Sequence, residues 1–509
     1  MGTVLGVFTS GGTLANVTAL WVARNVALGP VAAPDSPRGD QNGGEPDKAG
    51  AAGESDASAQ LAFEGIEREG LFAALNYYGY RGAVLVGSAL LHYSMAKTAD
   101  VLGLGVKSLV EIPFDQDFRV RIDLVEEALE RCRRDKILVV GLLGIAGATE
   151  TGSIDNLDAL ADLAERYGIH FHVDAAWGGP WVFSRKLKHL MKGIERAQSV
   201  TVDGHKQLYM PMGCGLCFFR DPELCLAVRK SARYIIRKDS HDLGKFTLEG
   251  SRPANAVFLH SNLNIFGVRG YEILVDRSVR MVAYMSRLIE ASNGWFQLIV
   301  KPMTNILLYR AIPAELRDKV RENAASLTEE NNAKVDALNI ELQQQQTLQG
   351  RTFVSRTTVR SPVYGVPIVG LRVVIANPIT FEADIDRVLQ NQVDLLGKID
   401  GSVLDAPVFH HGGCLVGGTT RAGESEVGEA AQNEEVPAAA AAANNHSAKY
   451  WATYWATMPQ EVRNLFKNDR ELFLSSLVAP ELGLEDDDGL FSSAKARIAT
   501  KERPSASSS

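Results

Sequence analysis

Cysteine is scarce in this chain, with five among 509 residues. So few thiols make no disulfide framework, and an odd count fits a reducing compartment. Cys214 and Cys217 form a Cys-x-x-Cys pair with Cys225 nearby, but no second ligand pair stands at zinc spacing. Phe218-Phe219 continue an apolar strand there, so buried thiols are the reading and no metal is expected. No apolar run is long enough to span a bilayer, and residues 1–12 lack the basic flank and apolar core of a secretory signal. Position 6 is glycine where myristoylation of Gly2 would want Ser or Thr. A basic excess is missing too: 53 Lys and Arg against 61 Asp and Glu leave a net charge of −8, which argues against nucleic acid as a partner. What remains is the expectation of a soluble, cytoplasmic protein that engages neither nucleic acid nor membrane.

What is present is ample core material. Hydrophobic residues make up 46% of the chain, and its length exceeds one ordinary domain. Residues 4–8 read as a short strand, 9–13 as a Gly/Ser loop, and 14–24 as a helix. Backbone N–H groups at such a helix start suit a phosphate. Residues 29–60 are dominated by Pro, Gly, Ala, Ser, Asp and Glu and read as a disordered insertion. Strands and helices then alternate: helix 61–80, strand 84–86, a helix beginning near His92, strand 109–112, helix 123–133, strand 137–143, helix 157–167 and strand 169–173. The pattern predicts an α/β fold with a mostly parallel sheet covered by helices, its ligands at the carboxyl ends of the strands. Further on, helices are expected at 255–264 and 271–292. An extended segment at 297–309 interrupted at Pro302, a helix at 312–342 partly broken at Pro313, a strand at 370–375 and a helix at 382–399 follow.

One lysine stands out. Lys206 follows the alternating Val200/Val202 strand in Asp-Gly-His-Lys at 203–206 and precedes a Gly-flanked apolar segment. A lysine between two buried strands is either snorkelling or held as an amine for Schiff-base chemistry. His170, His172 and Asp174 alternate, so a strand would put them on one face. That spacing also occurs in metal-dependent hydrolases, although His205 is the only obvious further ligand.

Five motifs in combination carry a resemblance. They are Thr-Ser-Gly-Gly-Thr-Leu-Ala-Asn at 9–16, Gly-Ala-Thr-Glu-Thr-Gly-Ser-Ile-Asp at 147–155, His-Val-Asp-Ala-Ala-Trp-Gly-Gly at 172–179, Asp-Gly-His-Lys at 203–206 and Leu-Glu-Gly-Ser-Arg at 248–252. From about residue 7 to 398 the chain resembles the pyridoxal-phosphate-dependent group II amino-acid decarboxylases of the aspartate-aminotransferase fold type. Within that family it is most similar to the aspartate 1-decarboxylase branch. The resemblance implies pyridoxal 5'-phosphate as cofactor, with its aldehyde on Lys206 and its pyridine nitrogen paired with Asp174. It implies a phosphate seat at Gly12 and Thr13 joined by Ser199 and His205, and ring contacts from His92 on one face and Ala176 on the other, with Thr149 nearby. Tyr234, in Arg-Tyr-Ile-Ile-Arg at 233–237, matches the loop tyrosine that protonates Cα after carbon dioxide leaves. Ser251 would reach a neighbouring subunit's site in a homodimer with shared active sites.

The domains implied are a large cofactor-binding domain at 1–294, a small C-terminal α/β domain at 295–404, a low-complexity linker at 405–449 and a tail at 450–509. Asp203-Gly204 replaces the Asn-Pro usual in animal members. The chain opens almost on the phosphate loop, so the N-terminal family segment, which helps to build the dimer and the substrate pocket, is expected to be missing. Aspartate to β-alanine is the first expectation. Glutamate, cysteine sulfinate or an aromatic amino acid as substrate, an inactive cofactor-binding relative and a metal-dependent hydrolase are the alternatives.

Overall fold

Apolar runs with amphipathic stretches between them fold here as alternating strands and helices. The computed structural model describes residues 4–32, 61–231, 240–401, 406–410 and 413–415. β1 (Leu5–Thr9) leads into α1 (Gly12–Ala27), and the short strands β2 (Val31–Ala32) and β3 (Leu61–Phe63) pair antiparallel. The insertion expected at 29–60 lies, from residue 33 on, outside the described residues. α2 (Ile66–Tyr78), β4 (Gly82–Ser88), α3 (Ser94–Val101), β5 (Leu109–Ile112), α4 (Ile122–Arg134), β6 (Ile137–Ile145), α5 (Leu157–Tyr167), β7 (Phe171–Asp174), β8 (Ser199–Asp203) and β9 (Gly215–Phe219) follow. Each helix has a local cause. α4 buries Val125, Ala128, Leu129 and Cys132, one face at helical spacing. α5 starts where the Asn156 side chain accepts from the Ala159 N–H and stops at Gly168 in the left-handed region.

Seven strands form one sheet in the order β1-β9-β8-β7-β6-β4-β5. From β8 to β5 the pairings are parallel, while β9 is antiparallel to both β8 and β1. β6 is buried along nearly its whole length, as a central parallel strand covered on both faces must be. On one side Val125, Leu129, Leu160 and Phe171 share a core with Trp181. On the other, Leu20 and Ala23 of α1 pack with Met95 of α3 and Leu85 of β4. Burial of each such large side chain contributes about 1.5–3 kcal/mol.

A second, four-stranded sheet has the order β10-β11-β13-β12 and is antiparallel throughout. It comprises β10 (Phe296–Leu298), β11 (Ile306–Ala311), β12 (Ser355–Arg360) and β13 (Pro367–Val374). α6 (Asn255–Glu290) enters it, while α7 (Arg317–Asn323), α8 (Glu329–Gln349) and α9 (Glu382–Ile399) connect and cover its strands. A hairpin of β14 (Val408–His410) and β15 (Gly413–Leu415) follows. Several expectations shift here. The two helices read at 255–264 and 271–292 are one element, with Gly267 at φ 57 marking the joint. The extended segment at 297–309 is interrupted around Pro302, as expected, while the helix read at 312–342 divides further along, because Thr328 caps a new start. β12 went unread because it is an edge strand whose Arg356, Thr358 and Arg360 face solvent, leaving no apolar alternation. The described residues fall in two compact units, 266–273 in the second and all the others in the first. Both sheets lie in the first. Of the second only 266–273 is described, where Arg269 pairs with Glu272. The linker and tail expected beyond residue 415 lie outside the described residues.

Candidate active site

Three neighbouring parallel strands end side by side. Ile145 of β6 pairs with Asp174 of β7, and Asp174 in turn with Thr201 of β8. β8 ends at Asp203, and the turn that follows carries His205 and Lys206. The start of α1 faces these ends, and together they enclose a cavity of about 360 Å³. Gly12, Thr13, His92 and Thr149 line it, as do Asp174, Ala176, His205 and Lys206. Eight of the residues singled out in the sequence are therefore brought to one place.

Lys206 Nζ lies 2.9 Å from Asp203 Oδ2, and His205 Nε2 is 3.7 Å from the same oxygen. His205 Nδ1 lies 2.9 Å from the Cys214 carbonyl oxygen and therefore donates to it. Asp203 Oδ1 is buried without a hydrogen-bond partner. Gly12 is required at the start of α1, since a Cβ there would sit 2.7 Å from Asp203 Oδ2. Gly11, at the N-cap, offers no capping side chain, so the first N–H groups of α1 point into the cavity without a side-chain acceptor. One anionic oxygen already uses this loop: the Ser10 N–H donates to Glu249 Oε2 at 3.0 Å.

Asp174 also lines the cavity and is held by two donors. Its Oδ1 accepts from the Ala176 N–H at 3.1 Å and its Oδ2 from Asn16 Nδ2 at 2.9 Å. Both partners are donors, which leaves lone pairs for a further one. Asn16 also donates to Ser94 Oγ at 3.0 Å, and Ser94 Oγ meets His92 Nδ1 at 2.9 Å. Burial lowers the His92 pKa below the ordinary imidazole value, opposed by Asp174 and assisted by Lys206.

Three expected residues stand apart. Ser199 does not join the phosphate seat: it lies at the amino end of β8, fully buried, whereas the cavity is at the carboxyl end. Its Oγ instead meets His170 Nε2 at 2.7 Å and His172 Nδ1 at 2.8 Å. Both rings are wholly buried, which pushes His170 down to about 3 and His172 to about 4. Among the described residues no group of three His, Cys, Asp or Glu is placed to hold a metal ion. Ser251 is exposed and does not line the cavity. Tyr234 lies outside the described residues. Sequence reasoning assigned no role to Asn16, Ser94 or Asp203; a buried Asn within the apolar run of α1 was the available signal for the first.

The cavity wall is tied to the second sheet. Arg372 Nε donates to the Thr149 carbonyl at 2.6 Å, Trp177 Nε1 to Asn305 Oδ1 at 2.8 Å, and Thr304 Oγ1 to the Gly152 carbonyl at 2.9 Å.

A mostly parallel sheet with a lysine, a carboxylate and an uncapped helix start at its carboxyl edge defines the class of fold type I pyridoxal-phosphate enzymes. The comparisons narrow this. Residues 80–312 match the model described as the pyridoxal-dependent decarboxylase conserved domain. An aspartate 1-decarboxylase of Aliivibrio fischeri is 40% identical over 415 residues, which cover 79% of this chain and 70% of that one. The cysteine sulfinic acid decarboxylase of Mus musculus is 29% identical over 314 residues, 60% of this chain and 61% of that one. The crystal structure of mouse CSAD superposes with a TM-score of 0.63 at 26% identity, covering 78% of this chain and 72% of that one. The chain belongs to the pyridoxal-dependent decarboxylase family, carboxy-lyases that act on amino acids with pyridoxal phosphate.

The residues present fit that cofactor. The uncapped start of α1 suits a phosphate, Lys206 is the amine in the cavity, and Asp174 has acceptor capacity left for a ring N–H.

Proposed function

We propose that this chain removes the α-carboxylate of a small acidic amino acid, aspartate first, giving β-alanine. The observation that carries the reading is the convergence of Lys206, Asp174 and the open start of α1 on one cavity. The relative at 40% identity, an aspartate 1-decarboxylase, supports aspartate over cysteine sulfinate, glutamate or an aromatic amino acid.

When bound, pyridoxal phosphate supplies a sink for the electron pair left on Cα. Lys206 is the amine that would hold the cofactor's aldehyde. Asp174 would hold a proton on the ring nitrogen through a charge-assisted hydrogen bond. Gly12 and Thr13 bind the phosphate with backbone N–H groups, next to His205. His92 and Ala176 would contact the ring, and Thr149 lines the same cavity. Tyr234 delivers the proton to Cα once carbon dioxide has left. Asp203, 2.9 Å from Lys206 Nζ, would hold the free amine of Lys206 as an ammonium.

The protein works as a cytoplasmic homodimer in this reading, with Ser251 reaching the partner's cavity. Val257, Phe258 and Ile265, exposed on the first half of α6, support a face for a second copy.

Carbon dioxide release measured over a panel of amino acids tests the substrate, with aspartate expected to give the highest kcat/KM. Borohydride treatment of the cofactor-loaded protein is expected to leave the pyridoxyl mass on the Lys206 peptide. Lys206→Ala is expected to lose that mass and at least about 10³-fold in kcat. Cofactor bound elsewhere, or turnover retained in the variant, contradicts the reading.

A further inference from the structure

Asn16 is 1% exposed, on the face of α1 turned toward the sheet, and its side chain meets three partners. Nδ2 reaches Asp174 Oδ2 at 2.9 Å and Ser94 Oγ at 3.0 Å, while Oδ1 lies 3.0 Å from His172 Nε2. The amide can sit only one way round, because turning it over would set its oxygen against the Asp174 carboxylate. That orientation fixes the proton on His172 Nε2, and the serine hydroxyls carry the direction onward.

On one side the amide oxygen accepts, so His172 carries its proton on Nε2. Its Nδ1 then accepts from the Ser199 hydroxyl at 2.8 Å, and the Ser199 oxygen takes the His170 Nε2 proton at 2.7 Å. Both rings are neutral, as their complete burial requires. On the other side the Ser94 oxygen receives an Asn16 proton at 3.0 Å, which leaves the hydroxyl proton to be given to His92 Nδ1 at 2.9 Å. The Ser94 N–H also points at this nitrogen, at 3.3 Å. His92 is thereby left with its proton on Nε2, the nitrogen that has no hydrogen-bond partner among the described residues.

We propose that Asn16 is a positioning residue for the reaction: through one buried amide it keeps Asp174 an acceptor and sets His92 as the Nε2–H tautomer, so that both groups are presented in a single protonation pattern. The inference rests on the assignment of Asp174 and His92 to the decarboxylation site. It adds a one-way hydrogen-bond chain running from His170 to His92 behind that site. The chain involves proton positions alone; no bond other than hydrogen bonds forms or breaks in setting it.

The test is the tautomeric state, read by ¹⁵N NMR of ring-labelled histidine in the full chain without cofactor and assigned with His92→Gln and His172→Gln. The native protein is expected to show protonated Nε2 and bare Nδ1 at His92 and His172 around neutral pH. Asn16→Asp reverses the polarity at Ser94, because the new oxygen accepts where an N–H donated. The Ser94 hydroxyl then turns to that oxygen, and His92 is expected to move its proton to Nδ1. A purely structural role for Asn16 would not move the tautomer. A native His92 or His172 protonated at Nδ1 overturns the proposal, as does an Asn16→Asp protein whose His92 stays unchanged. If that variant does not fold, the native spectrum decides alone. Carbon dioxide release is measured separately. Absent turnover with the expected tautomers counts against the decarboxylase reading only, and the unexpected tautomers with normal turnover count against this inference only.

Discussion

Gly12 occupies the point where α1 comes against the end of β8, and the space a side chain would need is already taken by Asp203. Gly12→Ala therefore has to push the Asp203 carboxylate away from Lys206 and narrow the seat offered by the start of α1. Its cost falls on binding rather than on folding, since the backbone there is not in the left-handed region. The expected outcome is a rise of about tenfold or more in the Kd for pyridoxal phosphate, equal to about 1.4 kcal/mol, with a melting temperature close to the parent's. A fluorescence titration beside a thermal scan checks both halves; unchanged cofactor affinity contradicts the role given to Gly12. Lys206, Asp174, His92 and Gly12, which all line the cavity, were legible only through the motifs in combination and the resemblance they carry. Asp203 was not, because a carboxylate three residues before a lysine reads as surface polarity until β8 is known to end inside a cavity. Ser199 was expected in the phosphate seat from the resemblance alone, but it begins β8, a strand's length from the cavity.

At the scale of elements, α8 illustrates how a local signal divides what periodicity joins. The Thr328 side chain accepts from the Asn331 N–H at 3.2 Å, and the Thr328 N–H donates back to Asn331 Oδ1 at 3.3 Å. This reciprocal cap starts α8 and separates it from α7. Thr328→Ala removes the side-chain acceptor and is expected to cost about 1 kcal/mol of unfolding free energy in denaturant titration. The cavity and its chemistry should be untouched, so kcat/KM per folded molecule is expected to stay within about twofold of the parent. A loss of activity larger than the loss of folded protein would mean that α8 bears on the site. The second sheet is the part least evident from sequence. β12 is exposed on alternate residues and polar where exposed, and an edge strand of that kind carries no apolar repeat to find.

Two predictions belong to the whole molecule. His170 and His172 are buried and neutral in the folded protein, at about 3 and about 4 against an ordinary 6.5, so the unfolded chain binds more protons between those limits. Stability is therefore complete above pH 6.5 and is lost as the pH falls toward 4. By pH 5 each ring accounts for a loss of about 2 kcal/mol. Asp155 acts the other way. Its burial outweighs two backbone N–H bonds and raises its pKa to about 6 from 3.8, so the folded state takes up its proton first on acidification. One carboxyl against two imidazoles leaves a net loss of about 2–3 kcal/mol between pH 7 and 5. Unfolding in urea at the two pH values measures it, and a midpoint no lower at pH 5 contradicts the burial argument. Sedimentation is expected to give a dimer, and Phe258→Glu, which charges an exposed apolar position of α6, is expected to shift it toward monomer. A monomeric parent with full turnover would remove the shared-site reading.

The sequence by itself determined the alternation of strands and helices, the parallel sheet and the identity of most chemical groups at its edge. These depend on local periodicity, helix caps and the few residue types able to act as amine, carboxylate or phosphate seat. Only the tertiary structure decided how those groups are oriented. Asn16 meets Ser94 across 78 positions and Asp174 across 158, and no local pattern encodes such a meeting. Which end of β8 faces the cavity, which oxygen receives Lys206 and which nitrogen of His92 bears the proton follow from how the sheet and α1 pack. A hydrogen bond has direction, and direction is set where distant segments meet.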